Sequence, residues 1–175
     1  SGASFDNHSN KTVSVWIKPG SLKSYAGLIA KETSSRDGNS YSYGMCCHDD
    51  GGLIAYGGSG PWQTSGNAGI ATGAWYHVAF RTFNTNIQFY VNGALVATKP
   101  FPYNEQTAYN VLLGSQYAGG TTYDFNGVLD EARIEHAARA PNWIWAAWLN
   151  VASNGVFNSY GSAIPNAGGP VITGW

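Results

Sequence analysis

Charged residues are scarce in this chain of 175 residues. Nine residues are basic and ten are acidic, which together make 11% of the sequence, against about 25% in a typical soluble domain. The formal net charge is −1, so no excess of positive charge attracts nucleic acid or an anionic membrane surface. No apolar run approaches the ~18 residues of a membrane span. We therefore expect no nucleic-acid partner and no membrane insertion.

Cysteine is also scarce, and the two cysteines, Cys46 and Cys47, are neighbours. A redox CxxC pair needs two intervening residues and a zinc site needs further ligands, so neither is predicted. Consecutive Cα atoms lie ~3.8 Å apart, below the ~4.4–6.8 Å of most disulfides, and successive strand residues point to opposite faces. Two alternatives stay open: a strained vicinal disulfide, or two small apolar residues, one in the core and one on the sheet surface.

Glycine and aromatic residues, in contrast, are abundant: there are 23 glycines, and aromatics make 14% of the chain. Short alternating stretches between turn residues, such as 12–18, 75–82 and 86–91, predict strands. Asn92 and Gly93 are the preferred residues of a type I′ hairpin turn, and 49–52 is a second turn sequence. The predicted fold is all-β, a two-sheet antiparallel β-sandwich (jelly roll).

One segment near the end of the chain predicts a short helix instead, at about 141–149. Pro141 suits a first helical position, and no glycine follows until residue 155. At ~100° per residue, Trp145 and Trp148 lie ~60° apart, whereas Trp143 points well away from both. We expect two of these tryptophans to pack on the sandwich and one to be partly exposed.

Four motifs, in order along the chain, resemble a known family. They are the strand at 12–19, the hairpin formed by 75–79 and 89–93, the strand at 125–134, and the continuation at 139–144 and 157–162. Together they resemble the laminin-G-like, concanavalin A-like lectin/glucanase jelly-roll domains of large bacterial surface or secreted proteins, over about residues 5–162. Because Trp16 and Trp75 belong to these motifs, they are expected to be structural rather than ligand-binding.

The resemblance implies one concave and one convex sheet, with ligands on the concave face or its rim loops. It does not fix the ligand, because the fold serves glycan binding, adhesion and catalysis. Family members with a structural calcium take ligands from an opening strand, shortened here to Phe5-Asp6-Asn7, and from the closing aspartate. Asp6 and Asp130 are therefore the candidate calcium ligands, and no other cofactor is implied.

A catalytic role is not predicted. Jelly-roll glycoside hydrolases need two facing carboxylates, ~5–5.5 Å apart in retaining enzymes and ~6.5–9.5 Å apart in inverting ones. Alternation places Glu131, Arg133 and Glu135 on one face, and an arginine between two glutamates indicates a salt-bridged rim. Tyr76 and His77, residue types that a lyase uses, point to opposite faces of a strand. No nucleophile elbow, zinc signature or phosphate loop occurs.

Binding residues are expected where aromatic side chains lie in turn-rich loops rather than in strands. Trp62, in the loop 59–64, is the strongest candidate, because it lies among glycine and proline turn signals rather than in an alternating strand. The loop 116–124 has the same character, and the polar stretches 33–40 and 48–49 could contact hydroxyl groups. The predicted ligand-binding residues are Trp62, Gln63, Tyr117, Tyr123, Asp124, His48, Asp49 and Arg36.

The sequence thus predicts a non-catalytic carbohydrate-binding module of an extracellular, secreted or cell-surface multidomain bacterial protein. Its partners would be a polysaccharide or glycan and the other domains of the same parent chain. Residues 1–163 form the predicted jelly-roll domain and 164–175 a linker toward a following domain, in a piece of a longer chain. The alternative is a protein-interaction or structural spacer domain of an adhesin with no small-molecule ligand.

Overall fold

The computed structural model describes residues 10–32, 41–57, 62–102, 110–116 and 122–158. These residues form two antiparallel five-stranded sheets, as predicted. Sheet A has the order β10-β1-β6-β7-β8 and sheet B the order β5-β4-β3-β2-β9. The strands are β1 Lys11–Pro19, β2 Ala26–Glu32, β3 Tyr41–Cys47, β4 Gly52–Gly57, β5 Gln63–Asn67, β6 Tyr76–Phe83, β7 Asn86–Val91, β8 Ala94–Pro100, β9 Asn110–Leu113 and β10 Gly127–Glu135.

The core lies between the two sheets and follows the period-two pattern of the strands. Val13, Val15 and Ile17 of β1 all face the interior and are fully buried, because alternate residues of a strand share a face. They meet the inward residues of sheet B, such as Leu28 and Met45. The alternation in the sequence therefore identified the interior correctly.

The predicted turn at Asn92–Gly93 is confirmed, since both residues have positive φ angles of 50° and 76°. Such angles suit the twist of a two-residue hairpin, which here joins β7 to β8. At Gly93 a Cβ atom would lie 2.9 Å from Cα of Trp145. Glycine therefore also lets the helix approach the turn closely.

The predicted helix is present and slightly longer than expected: α1 is Pro141–Ala152, followed by the one-turn helix α2, Asn154–Phe157. It packs on the outer face of sheet A, where Ile144 is buried against Ala79 and Tyr90. Trp143 is half-buried against the same cluster, whereas Trp145 is 47% exposed. No helix in the described part of the chain is long and apolar enough to cross a membrane.

The two tryptophans of the strand motifs differ in environment. Trp16 is 8% exposed, as expected of a structural residue. Trp75 is 43% exposed, so it lacks the burial that a structural role in the sandwich would give it. Trp75 lies one residue before β6 and two residues before His77. Residues two apart along a strand share a face, so Trp75 lies with His77 on the outer side of sheet A.

Candidate functional site

The outer face of sheet B carries a buried floor although no helix of the described chain covers it. Ala30, Cys46, Ile54 and Tyr56 are at most 4% exposed and form one cluster, with Leu112 partly buried beside it. A sheet face turned away from the core is usually polar. The apolar floor therefore marks this face as one where other groups pack.

Tyr56 lies flat across the sheet because its cross-strand neighbour is glycine. Tyr56 pairs with Gly44, and a Cβ on Gly44 would lie 2.2 Å from the Tyr56 ring. The Tyr56 hydroxyl donates a hydrogen bond of 2.8 Å to Oε2 of Glu32, whose side chain is also buried. The Tyr56 ring is thus held by its packing over Gly44 and by the hydrogen bond of its hydroxyl group.

Trp62 stacks on the outside of Tyr56. The two ring centroids are 4.3 Å apart and the planes are tilted by 31°. Trp62 remains 38% exposed, so one side of its indole is packed while part of it faces solvent. The sequence analysis named Trp62 as a loop aromatic; its packing on Tyr56 was not predicted.

Tyr25, which the sequence analysis missed, completes the group. Its ring meets Trp62 edge to face at 5.5 Å and Tyr123 at 6.2 Å. Tyr25 is 43% exposed and has a φ of 65°, a conformation that few non-glycine residues adopt and that often marks functional sites. We call Tyr25, Tyr56, Trp62 and Tyr123 the aromatic face.

Backbone contacts hold Tyr123 and Asp124 against the start of β2. The amide of Gly27 donates to the carbonyl oxygen of Tyr123 at 2.8 Å, and Gly27 forms a parallel bridge with Asp124. A Cβ on Gly27 would lie 2.1 Å from the backbone nitrogen of Gln116, so only glycine admits this approach. Tyr123 and Trp62, which the sequence analysis named in two separate loops, thus lie near each other through Tyr25.

Gln63, in contrast, does not join Trp62. It is the first residue of β5 and pairs with Ala55, whose side chain lies in the core between the sheets. Directly opposite residues of paired strands share a face, so Gln63 points away from the aromatic face. Placing Gln63 in a loop was therefore wrong, because the polar segment pairs with β4 as an edge strand.

His48 and Asp49 lie in the turn between β3 and β4, together with Asp50. Nδ1 of His48 is 3.0 Å from Oδ1 of Asp49 and 2.9 Å from Oδ1 of Asp50. His48 follows the Ala26–Cys47 pair, so this polar cluster lies at the same end of sheet B as Tyr25. The predicted binding residues Arg36 and Tyr117 lie outside the described residues.

The two cysteines are free thiols with different environments. Cys46 lies in the floor of the aromatic face and Cys47 in the core between the sheets. Burial raises the pKa of Cys46 well above its usual value, with a smaller contribution from the Glu32 carboxylate, and raises the pKa of Cys47 to about 12. Neither is a thiolate at neutral pH, so neither can act as a nucleophile or a ready metal ligand.

The two glutamates of β10 are paired with arginines. Glu131 forms an ion pair with Arg133, as the alternation predicted, and Glu135 pairs with Arg139 at 2.6 Å. Asp130 accepts the backbone amide hydrogen of Glu131. Among the described residues no group of three or more histidine, cysteine or acidic side chains could hold a metal ion, and Asp6 lies outside them. Since Ca²⁺ takes six to eight oxygen ligands, calcium binding at Asp6 and Asp130 stays a prediction.

Comparisons with known proteins agree with this architecture. The model of the family described as the concanavalin A-like lectin/glucanases superfamily (Laminin_G_3) matches residues 1–145. No curated protein sequence matches significantly.

Three solved structures are similar in fold. The first is the CBM40 of the Ruminococcus gnavus IT-sialidase bound to α2,3-sialyllactose, with a TM-score of 0.67, 16% identity, and coverage of 79% of this chain and 82% of that one. The second is domain 4 of the Geobacillus stearothermophilus extracellular arabinanase AbnA in complex with arabinotriose. Its TM-score is 0.59 and its identity 22%, and the match covers 79% of this chain and 66% of that one. The third is a Limulus polyphemus pentraxin. Its TM-score is 0.65 and its identity 19%, and the match covers 79% of this chain and 69% of that one. At these identities the similarity shows the fold, and the match of the family model agrees with the sequence motifs: the chain belongs to the concanavalin A-like lectin/glucanase superfamily.

Proposed function

We propose that this domain is a non-catalytic carbohydrate-binding module that binds a polysaccharide or glycan on its aromatic face. The observation that carries the proposal is the exposed Trp62, supported from below by Tyr56 and from the side by Tyr25. Sugar rings present apolar C–H faces that stack on aromatic rings, while phenolic and carboxylate groups bond their hydroxyls. Tyr123 and Asp124 supply such polar groups at the edge of the face.

The packing of Trp62 favours binding because the ring is already held in place. A free surface indole loses about 0.5–1.5 kcal/mol of side-chain entropy when a ligand immobilises it. Here the stack on Tyr56 has already restricted the ring. The binding energy of a stacked sugar is therefore not spent on ordering the tryptophan.

Two observations support binding rather than glycosidic cleavage. Hydrolysis needs a pair of carboxylates that face one another across the sugar bond. The carboxylate beneath the aromatic face, Glu32, is buried and accepts the Tyr56 hydroxyl, and Glu131 and Glu135 are each paired with an arginine. Similar folds also occur as modules bound to sialyllactose and to arabinotriose.

We further propose that the domain works outside the cell, as part of a secreted or cell-surface multidomain bacterial protein. The small number of charges and the abundance of glycine and aromatics support this placement. A CBM40 and an arabinanase domain of the same fold belong to larger enzymes.

A glycan array probed with the isolated chain tests the proposal. We expect selective binding to a small set of related glycans, and loss of that binding in Trp62→Ala. Trp145→Ala is the matched control, because Trp145 is also an exposed tryptophan but lies on α1, on the other sheet. If the folded chain binds no glycan, the role of interaction or spacer domain in an adhesin replaces this proposal.

A further inference from the structure

A cavity lies on the opposite side of the sandwich from the aromatic face. It has a volume of about 290 Å³ and opens between the end of α1 and the outer face of sheet A. This is the lower end of the range of about 300–1,000 Å³ for small-molecule sites, so it suits a single sugar-sized ring. Its lining residues are Trp16, Trp75, Asp130, Glu131, Val151 and Ala152.

Strand register brings the aromatic and acidic walls of this cavity together. Trp16 of β1 pairs with Asp130 on one side and with His77 on the other. The register between β1 and β10 then shifts, and Glu131 has a φ of 51°. β-Bulges of this kind redirect side chains and are frequent next to functional sites.

Among the described residues, one carboxylate of the cavity lies without an ion pair. The carboxylate of Glu131 is paired with Arg133. Asp130 makes no ion pair with any residue in the described ranges, and it lies next to the two indole rings. His77, which packs on Trp16 at 5.4 Å, adds no positive charge at neutral pH, because burial and the nearby Arg133 lower its pKa to about 4.

We propose that this cavity is a second binding site, selective for a protonated amino sugar. The ammonium group would pair with Asp130, and the C–H face of the sugar ring would stack on the exposed Trp75. Indole rings also attract cations through their negative faces. A neutral sugar gains the stacking but leaves the Asp130 charge unpaired, and an anionic sugar is repelled by it.

The site is independent of the aromatic face, so the two can be tested separately in the full 175-residue chain. The probe is D-glucosamine, with N-acetylglucosamine and glucose as uncharged comparators. The readout is the set of indole N–H signals of the seven tryptophans in a two-dimensional NMR titration. The signal that disappears in Trp75→Ala identifies Trp75.

We expect glucosamine to shift the Trp75 signal saturably, with a dissociation constant in the millimolar range. N-Acetylglucosamine should bind at least about tenfold more weakly, since a hydrogen bond to a charged group is typically worth that factor or more. Asp130→Asn should weaken glucosamine binding by a similar factor. In the Trp75 variants binding is followed through the indole signal of Trp16, which also lines the cavity, and Trp75→Ala should abolish it. Trp75→Phe, which keeps a ring, should bind measurably, while Trp62→Ala and Trp145→Ala should bind as the unmodified chain does.

Four results would overturn the proposal. The first is no saturable shift of the Trp75 signal with glucosamine, and the second is equal affinity for glucosamine and N-acetylglucosamine. The third is unchanged binding in Asp130→Asn whose melting temperature matches the unmodified chain. The fourth is a Trp75 shift produced by CaCl₂ but not by glucosamine, which would make Asp130 a metal ligand instead. Loss of glucosamine binding in Trp62→Ala would contradict the separation of the two sites.

Discussion

Gly44→Ala should damage the aromatic face through a single methyl group. The new Cβ would lie 2.2 Å from Cζ and from the hydroxyl oxygen of Tyr56, whereas an ordinary contact begins near 3.4 Å. The Tyr56 ring must therefore move by about 1 Å or more, and overpacking of this kind costs about 1–3 kcal/mol. The hydrogen bond from Tyr56 to Glu32 is strained in addition, at a cost of about 1 kcal/mol or more.

We expect Gly44→Ala to lower the free energy of unfolding by about 2–4 kcal/mol, the combined size of these two effects. Urea unfolding followed by tryptophan fluorescence measures it. Because Trp62 stacks on the displaced ring, glycan affinity should fall as well.

Two controls separate the clash from a general effect of alanine. Gly155→Ala has nothing within 4 Å of the added Cβ and lies in α2, so its stability should stay within about 0.5 kcal/mol. In a Tyr56→Ala background the ring is gone, and Gly44→Ala should then cost little, which a double-mutant cycle detects. If Gly44→Ala is as stable as the unmodified chain, Tyr56 does not lie across Gly44 and our description of the aromatic face fails.

Three further predictions concern stability and chemistry. Trp16→Ala should cost about 3–5 kcal/mol and Trp75→Ala about 1 kcal/mol or less, so equal losses in urea unfolding would contradict their different burial. Cys46 and Cys47 should resist alkylation in the native state and both react in denaturant, whereas a mass showing no reactive thiol in denaturant would indicate the vicinal disulfide. The pKa of His77 is lowered to about 4 by burial and by Arg133, and the unfolded chain takes up a proton near pH 6.5. Stability should therefore fall by roughly 3 kcal/mol as the pH drops from 6.5 to 4, and His77→Gln should remove that part of the pH dependence; an unchanged pH profile would refute it.

The sequence predicted the architecture well because the deciding features are local. Alternation in β1, the Asn92–Gly93 turn and the helix start at Pro141 each depend on a few neighbouring residues. β5, Gln63–Asn67, was missed because its polar sequence has no hydrophobic alternation. These residues form a strand because they pair with the edge of β4, and this pairing is not visible in the local sequence.

The aromatic face was predicted only in part for the same reason. Trp62 and Tyr123 could be found as aromatics in turn-rich loops. Tyr25 satisfies the same criterion, but its role depends on ring contacts with residues far along the chain. Trp75 was expected to be structural because it stands in a strand motif, whereas β6 begins only at Tyr76 and leaves Trp75 exposed just before it.

Trp62 is proposed as the main contact of the glycan site, and isothermal titration calorimetry with the glycan that binds most strongly on the array measures its contribution. We expect Trp62→Ala to weaken binding by about 1–3 kcal/mol, which is roughly 5- to 150-fold. Its melting temperature should stay close to that of the unmodified chain, and Trp145→Ala should bind normally. If a correctly folded Trp62→Ala binds the same glycan as tightly as the unmodified chain, the site lies elsewhere and the account is contradicted.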